Sequence, residues 1–492
     1  MKLKVRSLKI SAQGHLVCML NSEEAFQLQI RDADRVTLRK GKKQVTAVVD
    51  VTNTHHFLRK GQIGLMEELA RELSVKRGEV IDVELAEEPY SIDYIRKKLK
   101  GKTLDDVEMH SIISDVSKGQ ISQEELSVFI TACSVHGLRI SEILDMVNSL
   151  VGEAKPIPLN QHPVVDIRVI GDPSGILKHG VNAVVSAAGI STVAALESPG
   201  SNPSSSSDLF NAFSPYPVNN SSINTSISRI NCAYVNQEDK YISTALRRIK
   251  HSEAPLSLYP RDLLVASLLS QASILKSSHV YVNVLYGGGT PLPDEHSAKS
   301  MVRVLDRVSR KLKIRLDSGI YHIDEVFTGN SGPSIEAKIL MDTLSDSPMS
   351  LTLRSKIIEM AGNIIDMVKG SRGYRTAKET VDSDSALEHL VKILRYHGAK
   401  ASRKRFTFKG AFTYNIKAEK DSNIMSYNNQ NIMRIAKICG APHDLVAGVH
   451  MHKNVHSVVS KNDVIASLHS KNKQRLLRAQ EHMKRFPLFE LS

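Results

Sequence analysis

The chain has 492 residues, 41% hydrophobic and 24% charged. This is the balance of a soluble globular protein, too long for a single hydrophobic core. Its formal net charge of +13 favours polyanionic partners such as a nucleotide, RNA, DNA or a ribosome. No apolar run approaches about 18 residues, which excludes a membrane span and a membrane partner. The start, MKLKVRSLKI, lacks the apolar centre and cleavage site of a signal peptide. Cys18, Cys133, Cys232 and Cys439 form no CxxC pair, which argues against zinc and fits reduced thiols in a cytoplasm.

Four regions follow in chain order. Residues 1–88 read as a β-rich N-terminal domain: Lys4–Ile10, Val45–Val51 and Val80–Leu85 have strand patterning, and Ile63–Leu73 has helical spacing. Residues 89–155 read as an all-helical lobe, joined in space by about 255–278. Its punctuation includes Ser122 with Glu125, a capping box in which each side chain satisfies the other's free amide. Residues 160–375 alternate strands and helices, as a large α/β domain does: strand Val164–Ile170, helix Val181–Gly189, helix Leu263–Leu275, strand Val280–Leu285 and helix Ala298–Leu312. Within it, Glu197–Ser228 is dominated by Ser, Asn and Pro and reads as a long loop, partly disordered. From about Asp382 the pattern changes, and 380–492 reads as an α+β C-terminal domain.

Several passages carry a resemblance. They are the helical stretch from Ile95 to Val151, GQIGLMEELARELSVKRGEVIDV at 61–83, PLSLYPRDLLVASLLS at 255–270, GPSIEAKILMDTL at 332–344 and SYNNQNIMRIAKICGAP at 426–442. Together the chain resembles the archaeal AMP phosphorylase (nucleoside-monophosphate phosphorylase) branch of the thymidine/pyrimidine nucleoside phosphorylase family. The resemblance implies the four-region α/β fold and a homodimer through the helical lobe. It also implies phosphorolysis of a glycosidic bond with inorganic phosphate as co-substrate and no other cofactor. Such chemistry needs a phosphate held by amides, a lysine and hydroxyls. It also needs cations to stabilise the leaving base and domains that close over the substrates.

Set against the family's motifs, this sequence departs at the site. The D-K-H-[ST/C]-x-G-G loop becomes DIRVIGDPSG at Asp166–Gly175. Its lysine falls on Ile167, its histidine on Arg168, its hydroxyl on Val169, and its Gly-Gly pair on Gly171-Asp172. A carboxylate there repels phosphate. The A-S-[IL]-L-S-K-K run keeps Ser267 and Ser270 and loses both lysines to Gln271 and Ala272. The base-binding arginine falls on or beside His251, and a second Gly-rich loop becomes the Ser-rich 198–207. The substrate-site-like set is therefore Arg168, Gly171, Ser174, Gly175, Lys178, His251, Ser267 and Ser270. No catalytic residue is assigned. Arg168, Lys178, His179, Arg247, Arg248 and Lys250 could still hold an anion.

Other features weigh less. Gly287-Gly288-Gly289 follows a strand and reads as a structural turn. His450, His452 and His456 lack a carboxylate or Cys partner and read as a solvated strand-loop, with no metal assigned. Three basic runs, Arg303–Arg315, Lys400–Lys409 (with Arg403, Lys404 and Arg405) and Lys471–Arg485, are candidates for polyanion binding. Two functions follow. One is a catalytically degenerate homologue that binds a nucleotide, RNA or a ribosome. The other is active phosphorolysis of nucleoside 5'-monophosphates, AMP and phosphate giving adenine and ribose 1,5-bisphosphate, with a remodelled site. An inactive subunit modulating an active paralogue is a third, weaker expectation.

Overall fold

Alternating Leu3 and Val5 on one strand, and Val36 and Leu38 on another, set the first core; successive strand residues point to opposite faces, so one face is buried. The computed structural model describes all residues except 13–15, 55–57, 161–162, 173, 198–201, 214–221, 237–242, 254–259, 289, 324–328, 346–350 and 400–410, and the side chains at 251 and 253. It forms two units.

The first unit holds Met1–Lys155, Ser243–Glu253 and Leu258–Ser270. Strands β1 (Lys2–Ser7), β2 (Val17–Asn21), β3 (Arg35–Lys40), β4 (Lys43–Thr52), β5 (Gln62–Leu65) and β6 (Val80–Leu85) close a barrel in the order β1-β5-β2-β4-β3-β6. Helices α1 (Ser22–Gln27) and α2 (Glu67–Glu72) accompany it. The helical spacing over 63–73 is therefore corrected. Its first residues complete the barrel as β5, because Ile63 and Leu65 alternate into the core, and the helix begins only at Glu67.

Four helices follow: α3 (Ser91–Leu99), α4 (Asp106–Lys118), α5 (Gln123–His136) and α6 (Ile140–Gly152). Capping boxes start α4 at Asp105 and α5 at Ser122. The buried Lys98 donates to Glu142 at 2.8 Å, tying α3 to α6. Helices α7 (Ile176–Ala187), α8 (Ser206–Asn211) and α9 (Ile223–Ile230) belong to the second unit. Helix α10 (Thr244–Glu253) and the first ten residues of α11 (Arg261–Leu275) belong to the first.

The second unit is built on a five-stranded sheet of β7 (Val164–Ile170), β8 (Ser191–Leu196), β9 (Cys232–Asn236), β10 (His279–Tyr286) and β11 (Leu316–His322). All pairings are parallel, in the order β11-β10-β7-β8-β9. Helices α12 (Glu295–Lys311), α13 (Pro333–Leu344), α14 (Leu351–Lys369), α15 (Gly373–Asp382) and α16 (Ser385–Tyr396) follow. A second core is formed by β12 (Phe412–Lys417), β13 (Ser422–Tyr427), α17 (Asn429–Cys439), β14 (Gly448–Met451), β15 (Val458–Val459), β16 (Val464–Ser470), α18 (Lys473–Met483) and β17 (Phe489–Leu491).

Three expectations for this unit are corrected. The break near 380 is not where the core divides: Leu387, Leu390 and Leu394 of α16 lie in one cluster with Val181 of α7 and Ile357 of α14, because they form a single apolar stripe on α16. The Ser-rich 197–228 stretch contains α8 and α9. Its sparse apolar residues recur at helical spacing, with Leu209, Phe210, Ile223 and Ile227 buried. Helix α7 begins at Ile176, five residues before Val181. All four cysteines are free and buried, Cys18 and Cys133 in the first unit, Cys232 and Cys439 in the second. Among the described residues no helix is long and apolar enough to cross a membrane.

Candidate functional site

Strand β7 is where the sheet's order reverses. The chain runs β7, β8, β9 to one side, then returns to β10 and β11 on the other. In an open parallel sheet, the crevice beyond the carboxyl ends of the strands at such a point is where ligands bind. The loop leaving β7 there carries Gly171, Asp172, Ser174 and Gly175, and α7 begins directly after it.

Gly171 and Gly175 have φ of +90° and +80°, the left-handed region that glycine tolerates. A Cβ on Gly175 would stand 2.4 Å from the Cβ of Ser206. The turn aims the first amides of α7 at Asp172. The Gly175 N–H donates to Oδ1 at 3.0 Å and the Lys178 N–H to Oδ2 at 3.0 Å. A helix N-terminus with free amides is a ready anion site; here the anion is the chain's own carboxylate. Burial raises the Asp172 carboxyl above the usual range, opposed by the Lys178 amide and charge.

The replacement cations are also engaged. Arg168 is buried on β7 and donates through Nε and Nη2 to Asp166 at 2.7 and 2.8 Å, and through Nη1 to Gln271 at 2.6 Å. The expectation that Arg168 could hold an anion is corrected: alternate residues on a strand share a face, so Asp166 captures the guanidinium first. Lys178 Nζ is buried and reaches the Ala195 carbonyl at 3.3 Å and Glu197 at 3.2 Å. His179 Nε2 donates to the Ser206 carbonyl at 2.9 Å, so Nδ1 accepts from the Tyr234 hydroxyl at 2.8 Å. Burial lowers this imidazole to about 4, and it is neutral at pH 7. Lys178 and His179, expected to be able to hold an anion, are corrected likewise: both are buried and already bonded within the chain. Ser174 Oγ accepts from the Ile176 N–H at 3.4 Å.

Ser206 of the Ser-rich stretch lies against Gly175. Ser205 Oγ donates to Asp208 at 2.6 Å and caps α8, and Ser206 Oγ accepts from the Glu197 N–H at 2.8 Å. Glu336, on the first turn of α13, is 6% exposed. The Gly332 N–H reaches its Oε1 at 3.4 Å, while Oε2 has no hydrogen-bond partner. Burial pushes this carboxyl up to about 8; Ser204 beside it works the other way, and Asp172 and Asp208 raise it further. The Ser204 hydroxyl is 2% exposed and faces this carboxyl.

Asp166, Ser204, Asp208 and Glu336 were not foreseen as site residues. The available signals were Asp166 two positions before Arg168, and Glu336 set between the apolar Ile335 and Ala337.

In the first unit, Arg247, Arg248, Lys250 and His251 share α10, and Ser267 and Ser270 share α11. Arg248 is corrected as a polyanion candidate. Its Nη1 donates to the Val116 carbonyl at 2.9 Å and lies against Gly119, closing the end of α4. Arg247 Nη2 donates to Thr244 at 3.2 Å. Ser270 Oγ is buried and donates to the Ser267 carbonyl at 2.9 Å. The His251 side chain, Arg403, Lys404 and Arg405 lie outside the described residues.

Gly287 has φ of +131° and accepts from the Thr290 N–H at 3.2 Å, as a turn does. His450 and His452 are half-buried with rings 4.5 Å apart, and His469 joins at 6.4 Å from His450. The solvated strand-loop is corrected for these two: both are half-buried beside β16, where His450 is paired with Ser467 and His452 Nε2 lies 2.7 Å from Ser467 Oγ. Among the described residues no group of three or more His, Cys, Asp or Glu is placed to hold a metal.

Residues 92–154 match the helical bundle domain of the glycosyl transferase family. The chain is 26% identical over 471 residues to AMP phosphorylase 1 of Archaeoglobus fulgidus, spanning 95% of this chain and 93% of that protein. It is 25% identical to the AMP phosphorylases of Thermococcus sibiricus and Pyrococcus furiosus, each over 97% of this chain and 95% of theirs. Along nearly its whole length the chain is similar to AMP phosphorylases, and its helical lobe matches the glycosyl transferase helical bundle. Among solved structures, anthranilate phosphoribosyltransferase (TrpD) from Thermus thermophilus matches at 17% identity and a TM-score of 0.48, over 62% of this chain and 100% of that one. In this chain, the loop after β7 holds Asp172 against the start of α7, and on β7 itself Asp166 is paired with Arg168.

Proposed function

We propose that the chain is a catalytically degenerate member of its family, a cytoplasmic homodimer that binds a nucleotide or RNA rather than a phosphorolytic enzyme. One observation carries this reading: the α7 amides and the Arg168 guanidinium are already bonded to Asp172 and Asp166. A phosphate dianion entering the crevice would have to displace two carboxylates and would meet a third carboxyl at Glu336. Losing even one electrostatic contact to a developing charge costs roughly 10²–10³ in rate.

The net charge of +13 supports a polyanionic partner, as do the exposed cations Arg303, Arg307, Arg310 and Lys311 on α12 and Arg475 and Arg478 on α18. Exposed Val107 on α4 and Val135 on α5 support pairing through the helical lobe. The test is release of free base from a panel of nucleoside 5'-monophosphates, with and without phosphate, at high protein concentration. The expected result is no phosphate-dependent release, together with salt-sensitive retention of RNA. Phosphate-dependent release would restore the alternative, active phosphorolysis of AMP or a related nucleotide in a rebuilt site. That alternative is supported by AMP phosphorylases matching along almost the whole chain.

A further inference from the structure

We infer that the face shared by α17 and α18 is a docking surface for single-stranded RNA, with Arg434, Phe486 and His482 as its stacking platform. The inference rests on the reading above and deepens it by naming the surface and the form of the polyanion.

Three observations carry it. First, the face is basic against the preference of its own helix. α17 and α18 pack on each other, and Arg434, Lys473, Arg475, Arg478, Lys484 and Arg485 on and beside them are all exposed. Glu481 is the only acid on either helix. The start of a helix is its positive end and favours acids, yet the first turn of α18 has none and opens with Lys473. The helix dipole accounts for Lys484 and Arg485 just past the other end, but not for Lys473, Arg475 and Arg478.

Secondly, the chain does not neutralise this charge. Of the basic run Lys471–Arg485, only Lys471 forms an ion pair among the described residues, with Asp444 at 3.8 Å. Arg434 of α17 forms none among them. On α12, by contrast, Lys299 and Arg310 are paired with Glu295 and Asp306 at 2.8 and 2.9 Å.

Thirdly, flat groups stand among the cations. The Arg434 guanidinium lies over the Phe486 ring, 4.2 Å from its centroid. The His482 imidazole lies near-parallel to the same ring, at 6.1 Å and 13°. The turn that returns Phe486 is held in place: the Arg485 and Phe486 N–H groups both donate to the His482 carbonyl at 3.0 Å, and Asn431 Nδ2 of α17 donates to the Pro487 carbonyl at 2.9 Å. Arg434 and His482 are exposed. Unpaired bases stack on guanidinium planes and on aromatic or imidazole rings, whereas in a duplex the base faces are already covered. A cationic face alone suits any polyanion; the stack selects a single strand. α12 carries cations but no Phe, Tyr or Trp.

The experiment titrates the full-length chain by fluorescence anisotropy at several salt concentrations. The probes are a short labelled oligoadenylate, an abasic strand of equal length and charge, and the oligoadenylate paired with its complement. The variants are Arg478→Gln/Arg485→Gln, His482→Ala/Phe486→Ala and, on α12, Arg303→Gln/Arg307→Gln. Circular dichroism confirms folding; if the second variant does not fold, Arg434→Gln serves, because that side chain is exposed. Oligoadenylate is expected to bind about tenfold more tightly than the abasic strand, the effect of one stacked base, and His482→Ala/Phe486→Ala should erase that margin. Arg478→Gln/Arg485→Gln should reduce the slope of log affinity against log salt by about 0.7 for each cation in contact. Equal affinity for the oligoadenylate and abasic strands overturns the inference, as does tighter binding of the duplex. So does capture of phosphatidylserine vesicles without any retention of RNA. RNA binding that is lost in the α12 variant and kept in the other two overturns this surface while leaving the proposed function standing. Phosphate-dependent base release would instead sink the proposed degeneracy and leave this surface standing, so the two failures are distinguishable.

Discussion

Replacing Glu336 by Gln should make the protein's stability less sensitive to alkali. The carboxyl is held at about 8 against an ordinary 4.5 by burial and by its acidic neighbours. Between those values the native protein keeps a proton that the unfolded chain releases, so stability falls as pH rises. The contribution is fully present below about 4.5 and is lost on passing through 8. The shift of 3.5 is 8 minus 4.5; at about 1.4 kcal/mol per unit it gives an upper bound of about 5 kcal/mol. Glutamine keeps the shape and has no proton to lose. The variant should therefore gain on the unaltered protein by up to about 1.4 kcal/mol per pH unit across that window, then level off. Chemical denaturation followed by circular dichroism at several pH values measures the difference; the chain has no tryptophan to follow. Groups that do not interact with Glu336 titrate equally in both proteins and cancel, leaving Asp172 and Asp208 as the coupled neighbours. Parallel stability curves for the two proteins from acid to mild alkali would refute the assignment of Glu336 as a neutral buried acid.

Arg168→Met should destabilise the second unit by about 3–5 kcal/mol, since it strands Asp166 in the sheet, and pairing it with Asp166→Leu should recover much of the loss; denaturant midpoints of the single and double variants check this. His179, His450 and His469 are held at about 4, 3 and 4 by burial. Their depressed values mean stability is present above the ordinary 6.5 and declines as pH falls below it, and His179→Gln should flatten that decline in the same denaturation series. Gly175→Ala should cost about 1–3 kcal/mol, because φ is positive and Ser206 fills the space a methyl would need; thermal unfolding would reveal it. Val135→Asp, on an exposed helical position, should shift a dimer towards monomer in sedimentation while leaving the fold intact.

Much of the framework was legible because it rests on local rules. Ser122 and Glu125 announced the start of α5, and Val164, Val165, Ile167, Val169 and Ile170 marked β7 despite the charged Asp166 and Arg168 between them. Where reading failed, long-range packing overrode composition. The serines of 204–206 look like loop, yet they are buried because Gly175 lets their backbone approach closely. Ile63 and Leu65 look helical with their downstream neighbours, but barrel closure with β1 and β2 claims them as strand. At the site, the lost lysine and histidine were visible in DIRVIGDPSG. The fate of Asp172 and Arg168 was not, because it depends on α7 beginning at Ile176 and on Asp166 sharing a face with Arg168.

The four buried cysteines divide evenly, two to each unit. Burial pushes the thiols of Cys232 and Cys439 up to about 12, and that of Cys18 higher still. At neutral pH these are almost entirely thiol, and the thiolate is what an alkylating reagent attacks. Each therefore reacts only when its surroundings open, so the rate of labelling at Cys18 clocks the opening of the barrel and that at Cys232 the opening of the parallel sheet. A chain without tryptophan thus carries its own pair of independent stopwatches.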